Sequence, residues 1–91
     1  MDVEFVTGKA YRIPWTEYER GWGQRPDGAS LHISVEEAQL YITEMTKNRD
    51  PKNVPDEYSS PDLNPWEDEI PLVEVTGAVY ARLIELGTVW E

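Results

Sequence analysis

The 91-residue sequence contains no cysteine and one histidine, His32. Without thiols there is no disulfide framework and no thiolate metal site, and a single imidazole leaves little for transition-metal ligation. The absence of cysteine fits a reducing compartment. Bases are scarce: 8 lysines and arginines stand against 18 acids, for a formal charge of −10. Such a field opposes binding of free nucleic acid. No apolar run approaches the ~20 residues of a membrane helix, and Met1-Asp2-Val3-Glu4 lacks the basic flank of a signal peptide. The chain reads as soluble, with no membrane partner, and as cytoplasmic. GxxxxGK[ST], GxGxxG and GxSxG motifs are all missing. The carboxylates Asp62 to Glu69 do not have the spacing of a calcium loop. Neither a cofactor nor a catalytic residue is indicated, and the chain reads as a non-enzyme.

Four tryptophans, five tyrosines and seven prolines are present in quantity. The aromatics are core and interface material, and the length corresponds to one domain with a small core. Charge is unevenly placed. Residues 1–52 carry 7 bases and 9 acids, net −2, whereas residues 53–91 carry Arg82 alone against 9 acids, net −8. That asymmetry steers the molecule toward a basic partner surface, and it also keeps a small protein in solution.

Strand signals cover Val3 to Val6 and Ala10 to Trp15, where Tyr11, Ile13 and Trp15 alternate onto one side; Pro14 predicts a sheet edge or strand exit there. Thr16-Glu17-Tyr18-Glu19 has capping-box spacing and predicts one helical turn stopping at Gly21. Pro26-Asp27-Gly28 predicts a turn. Ala29 to Ile33 predicts a strand with Leu31 and Ile33 on one face and His32 on the other, where it is exposed or structurally hydrogen-bonded rather than a base. Ser34 opens a helix over Val35 to Asn48, with Val35, Ala38, Tyr41, Ile42 and Met45 on its apolar stripe and Leu40 off it. A proline-rich connection spans about residues 50–71, with Tyr58, Leu63 and Trp66 as pegs against the core. Connections this long are usually functional or disordered. Leu72 to Val75 predicts a strand, Thr76 caps a helix over Gly77 to Leu86 buried through Val79, Tyr80, Leu83 and Ile84, Gly87 stops it, and Thr88 to Trp90 returns as a last strand. The expected class is α+β: a single domain, 1–91, with a short, mainly antiparallel sheet and two helices packed on one face.

Two stretches invite a functional reading. Thr16 to Gly28 gathers Tyr18, Trp22 and three glycines with Arg20, Gln24 and Arg25. The planar donor forks Arg20, Gln24 and Arg25 beside Trp22 suit a carboxylate, a phosphate or a base; the alternative is that Trp22 fills the core and Arg25 pairs with nearby acids. The proline-rich segment presents Trp66 with Glu67, Asp68 and Glu69, rimmed by Asp56, Glu57 and Asp62, the arrangement of an interface hot spot.

The series Glu17-Tyr18-Glu19, Gly21-Trp22-Gly23-Gln24-Arg25, Ser34-Val35-Glu36-Glu37-Ala38 and Val54-Pro55-Asp56-Glu57-Tyr58 resembles a group of uncharacterised small proteins of phages, prophages and bacterial mobile elements. The similarity spans about residues 11–58 and its most specific part is the Gly-Trp-Gly-Gln-Arg turn. The resemblance implies an accessory protein of a mobile element acting in the cytoplasm of a bacterial host. In size and charge the chain is also similar to some anti-CRISPR proteins. The implied function is inhibition, by protein–protein contact, of a host protein with a basic nucleic-acid-binding surface. Two alternatives stand beside it: a binder of a small anion or nucleotide through the Trp22–Arg25 loop, in one version across a homodimer, and a structural or assembly protein of the element.

Overall fold

A computed structural model describes residues 7–19, 21, 23–47 and 57–91. Its organising element is β1 (Thr7–Glu19), which pairs antiparallel with β2 (Gly23–His32) along one side. Its other side is shared. β4 (Leu72–Thr76) pairs with residues 7–11 and β3 (Glu57–Pro61) with residues 15–19, both antiparallel. β5 (Thr88–Trp90) closes the order β3-β1-β2-β5 as an edge strand. Helix α1 (Val35–Thr46) follows β2, and α2 (Gly77–Leu86) joins β4 to β5. The α+β class and the antiparallel sheet, five-stranded and curled, agree with the sequence.

Pro14 lies inside β1, not at its end. Its carbonyl accepts from the Asp62 amide at 2.8 Å, and two residues earlier the Arg12 amide donates to the Pro71 carbonyl. A strand residue projects N–H and C=O to the same side. The missing N–H of Pro14 therefore faces the seam between β4 and β3, where no ladder bond is lost. Opposite this point β2 carries one extra residue, since Pro14 pairs with Ala29 and Thr16 with Pro26. Gly28 takes φ +82 there, so Pro26-Asp27-Gly28 makes a bulge inside a strand instead of the expected turn.

Beyond the bulge, Thr16 to Glu19 stays extended, against the helical turn its capping-box spacing predicts. Its carboxylates have no apolar run behind them to form a helix body, and ladders to β2 on one side and β3 on the other satisfy the backbone. The result is a three-stranded lobe built from the ends of β1, β2 and β3. On one face Tyr18 stacks on Tyr58 with centroids 5.2 Å apart; on the other Arg25 pairs with Glu17 and Ser59 donates to Asp27. The expected strand Val3 to Val6 lies outside the described residues.

Both helices begin as expected. The Ser34 hydroxyl accepts from the Glu37 amide at 3.1 Å and the Thr76 hydroxyl from the Val79 amide at 3.3 Å. Gly87, at φ +82, ends α2. The expectation that both helices pack on one face is corrected by strand alternation. Ile13 and Trp15 join Ala38 and Ile42 of α1 with Ile70, whereas Ala10 and Leu31 join Leu83 of α2. Up to the bulge, odd positions of β1 and even positions of β2 thus face α1, and the opposite parity faces α2. With each helix covering only part of its own face, stripe residues are left outside: Met45 is 48% exposed and Ile84 66%. α1 ends at Thr46, with Lys47 as its cap, two residues before the expected end.

Contact between α2 and the sheet depends on one position without a side chain. A Cβ at Gly8 would overlap the Cγ and Cδ2 atoms of the Tyr80 ring, which lies against β1 at this residue. Gly8→Ala is expected to push α2 off the sheet at a cost of about 1–3 kcal/mol. Urea unfolding measures this, and pairing it with Tyr80→Ala should recover part of the loss. An unchanged midpoint in Gly8→Ala would contradict the packing.

Candidate partner-binding surface

The connection from Pro61 to Pro71 contains the acidic, aromatic segment. Its start is tied to β1: the Asp62 amide donates to Pro14, and the Thr16 hydroxyl donates to Asp62 Oδ1 at 2.7 Å. A tight turn follows. The Asn64 amide donates to Asp68 Oδ2 (2.7 Å), the Trp66 amide donates to Asn64 Oδ1 (2.9 Å), and the Glu67 and Asp68 amides donate to the Asn64 carbonyl. Asn64 thus uses both its side chain and its backbone to fold the chain over itself. The turn is fixed to α1, where Gln39 Nε2 donates to the Pro65 carbonyl at 3.0 Å. Pro65 and Ile70 are buried, and Leu63 packs against the core.

Of the three expected pegs, Leu63 meets the core and Tyr58 stacks on Tyr18, but Trp66 does not pin the segment. Its side chain stands 57% exposed beside an open groove of about 320 Å³ lined by Ile42, Leu63, Pro65 and Trp66 with Asp62 and Asp68. Pro65 takes the buried position in its place. The acids divide by role. Asp62 and Asp68 hold the segment together, whereas Glu67 and Glu69 are exposed and their carboxylates make no hydrogen bond or ion pair among the described residues. Glu57 lies at the far end of β3, in register with Glu19, so five extended residues, roughly 16 Å, separate its backbone from Asp62. Asp56 lies outside the described residues.

Arg20 and Trp22 of the other expected site are likewise outside the described residues. Gln24 and Arg25 are successive residues of β2 and project to opposite faces of the lobe, Gln24 toward Tyr18 and Arg25 toward Glu17. Arg25 Nε lies 3.0 Å from Glu17 Oε2; that hydrogen bond and the charge of Glu17, then those of Glu19 and Asp27, raise its pKa. Its positive charge is already answered by three acids on its own face.

His32 is fully buried and has the structural role foreseen as one of its two options. Trp15 Nε1 donates to Ser30 Oγ at 2.7 Å, Ser30 Oγ lies 2.7 Å from His32 Nε2, and His32 Nδ1 lies 2.7 Å from Thr88 Oγ1. Ser30 accepts from the indole, so its own proton must go to an acceptor, and Nε2 is the one at hand. The ring is therefore neutral with its proton on Nδ1, donating to Thr88. Burial lowers its pKa to about 4.

A second groove joins residues far apart in sequence. α1 contributes Leu40, Tyr41, Glu37 and Glu44; Leu86, Thr88 and Trp90 face them across about 360 Å³. The one sequence signal for it is Leu40, an apolar residue off the stripe of α1. Among the described residues there is no group of three or more His, Cys, Asp or Glu side chains able to hold a metal ion, and no helix long and apolar enough to cross a membrane. No family model matches the chain, and no match was found among curated proteins or among solved structures.

Proposed function

We propose that this chain is a non-enzymatic protein-binding module that attaches to a basic surface through the Asn64–Glu69 turn. The observation that carries the reading is Trp66, a large aromatic side chain left 57% exposed on a turn fixed by four hydrogen bonds among its own residues and by a fifth from Gln39. A preformed turn loses little conformational entropy on binding, and tryptophan is among the residues most enriched in interface hot spots. Glu67 and Glu69 flank it with uncommitted charge, and the net −8 of residues 53–91 draws a cationic surface toward this part of the chain. The resemblance to mobile-element proteins supports a host target. In that setting the turn occupies basic groups that otherwise meet nucleic-acid phosphates, so the protein inhibits by competition.

Affinity capture from a bacterial lysate at low and moderate salt, read by mass spectrometry, identifies the target. The decisive variants are Trp66→Ala and the pair Glu67→Lys with Glu69→Lys, all at exposed side chains; Asp68 is left in place because it caps Asn64. Each is expected to weaken target binding about tenfold or more, and the charge reversal is expected to flatten the salt dependence. Unchanged affinity in both would sink the proposal.

A further inference from the structure

The groove between α1 and β5 combines three features, the first of which the Trp66 turn does not share. The first is an open hydrogen-bonding edge. The Ile33 amide donates to the Gly87 carbonyl and the Glu91 amide to the Ala29 carbonyl. With Leu31 opposite Val89, this fixes the ladder: Val89 turns its amide and carbonyl toward β2, and Thr88 and Trp90 turn theirs outward. β5 has no second neighbour among the described strands. The second feature is apolar surface. Leu40 and Leu86 are 59% and 58% exposed and Trp90 is 38% exposed, with the Trp90 indole held by its N–H donating to the Tyr41 hydroxyl and by packing on Trp15. The third is charge of one sign, from Glu37 and Glu44 on the helical wall.

These features are in register. Glu37 lies against Gly87, where an added Cβ would come 2.7 Å from its Oε2, and Tyr41 hydrogen-bonds Trp90. α1 and β5 therefore run side by side in the same sense. Glu37 and Glu44 are separated by two helical turns, about 10.5 Å, with Leu40 between them. On an extended chain, side chains two apart face the same way, about 6.7 Å from one to the next. An apolar side chain between two basic ones thus spans about 13 Å, which long, flexible lysine or arginine stems bring onto the two carboxylates.

We propose that this groove is a second binding site, for an extended basic peptide that adds to β5 as a further strand, its apolar side chain seated among Leu40, Leu86 and Trp90 and its flanking cations on Glu37 and Glu44. Main-chain bonds to Thr88 and Trp90 supply affinity, and the alternate side chains supply selection. Glu44 already holds Lys47 at 2.7 Å, but both side chains are more than half exposed, and such surface pairs are readily exchanged. A second copy of this chain is a poorer occupant. Its own edge would bring Glu37 and Glu44 against Glu37 and Glu44. The groove and the Trp66 turn use different flanks of α1, Leu40 and Glu44 on one and Gln39 and Ile42 on the other, so either site can fail without the other.

The test is selection of a display library of short random peptides on the immobilised protein, with the Leu40→Arg protein as the counter-selection. Leu40 is exposed, so the variant keeps its fold. Enriched peptides are expected to carry the pattern basic-x-apolar-x-basic, and titration of the best one should shift the Thr88 and Trp90 amide NMR signals saturably and slow their hydrogen exchange. Methylating the peptide backbone at alternate nitrogens should weaken binding at least about tenfold in one of the two registers, as strand pairing requires, and Leu40→Arg should do the same. No enrichment over Leu40→Arg, enrichment of acidic peptides, or indifference to backbone methylation in both registers overturns the proposal. Amide shifts that follow protein concentration without peptide would give the edge to a second copy and overturn it equally.

Discussion

Trp15→Ala is expected to remove most of the stability of this domain. Trp15 is 1% exposed at the centre of the α1-side core, between Ile13, Ala38 and Ile42. It also touches two further rings, Trp90 with centroids 5.3 Å apart and Tyr41 at 6.0 Å in edge-to-face contact. Truncating a buried tryptophan costs about 3–5 kcal/mol through lost transfer energy and the cavity left behind. A domain of this size holds roughly 5–14 kcal/mol in all, and small domains sit toward the low end. The variant should therefore unfold at far lower urea than the parent, or be unfolded without denaturant. Trp15→Phe separates packing from hydrogen bonding. It keeps most of the ring and removes the N–H that Ser30 accepts, while Ser30 can still donate to His32, so a loss nearer 1–2 kcal/mol is expected. A loss below about 1 kcal/mol in Trp15→Ala would mean that the aromatic cluster is not the core.

The parts of the fold legible from the sequence are those set by a few neighbouring residues. Ser34 and Thr76 announce their helices because a hydroxyl three residues before an orphan amide is a local arrangement. Gly87 announces the end of α2 because only a residue that tolerates positive φ turns the chain there at low cost. What the local pattern does not show depends on partners distant in sequence. Thr16 to Glu19 has helix-start spacing, yet Glu17 pairs with Arg25 and Ser59, and both ladders favour an extended chain. β3 was hidden inside the proline-rich stretch because Glu57 to Pro61 has no alternation of its own; its strand character comes from β1. The opposite placement of the helices was already written in Ala10 against Tyr11 and Leu31 against His32. It is hard to read there because a small alanine and a buried histidine do not look like core from composition.

The candidate sites follow the same division. Trp66 with its acids was visible as a cluster of residue types. Which carboxylates are committed was not visible, because Asp62 answers Thr16 and Asp68 answers Asn64 only once the turn is folded. The α1–β5 groove was not visible at all beyond the odd position of Leu40, since it needs residue 40 beside residues 86 and 90.

Acidification should weaken the fold through His32, and the sign follows from the buried chain of hydrogen bonds. In the unfolded chain the imidazole titrates near 6.5; in the folded protein burial holds its pKa at about 4. Between these values the unfolded state binds a proton that the folded state refuses, so stability falls as pH falls. The contribution is intact above the unfolded pKa, declines by up to about 1.4 kcal/mol per pH unit below it, and levels off below the folded pKa, for a total of roughly 3 kcal/mol. The resistance has a geometric origin. A proton on Nε2 would leave the Ser30 hydroxyl with no acceptor while it still accepts from Trp15. Because the chain has one histidine, one imidazole signal reports the event in NMR. It should stay at its neutral position through pH 6.5 and move only near pH 4. Urea unfolding from pH 7.5 to pH 4.5 should show a slope that a His32→Gln protein lacks, whatever the baseline contributed by other groups. An imidazole that titrates at its ordinary value in the folded protein, or equal slopes in the two proteins, would mean that water reaches His32 and that the Trp15–Ser30–His32–Thr88 chain is not closed in solution.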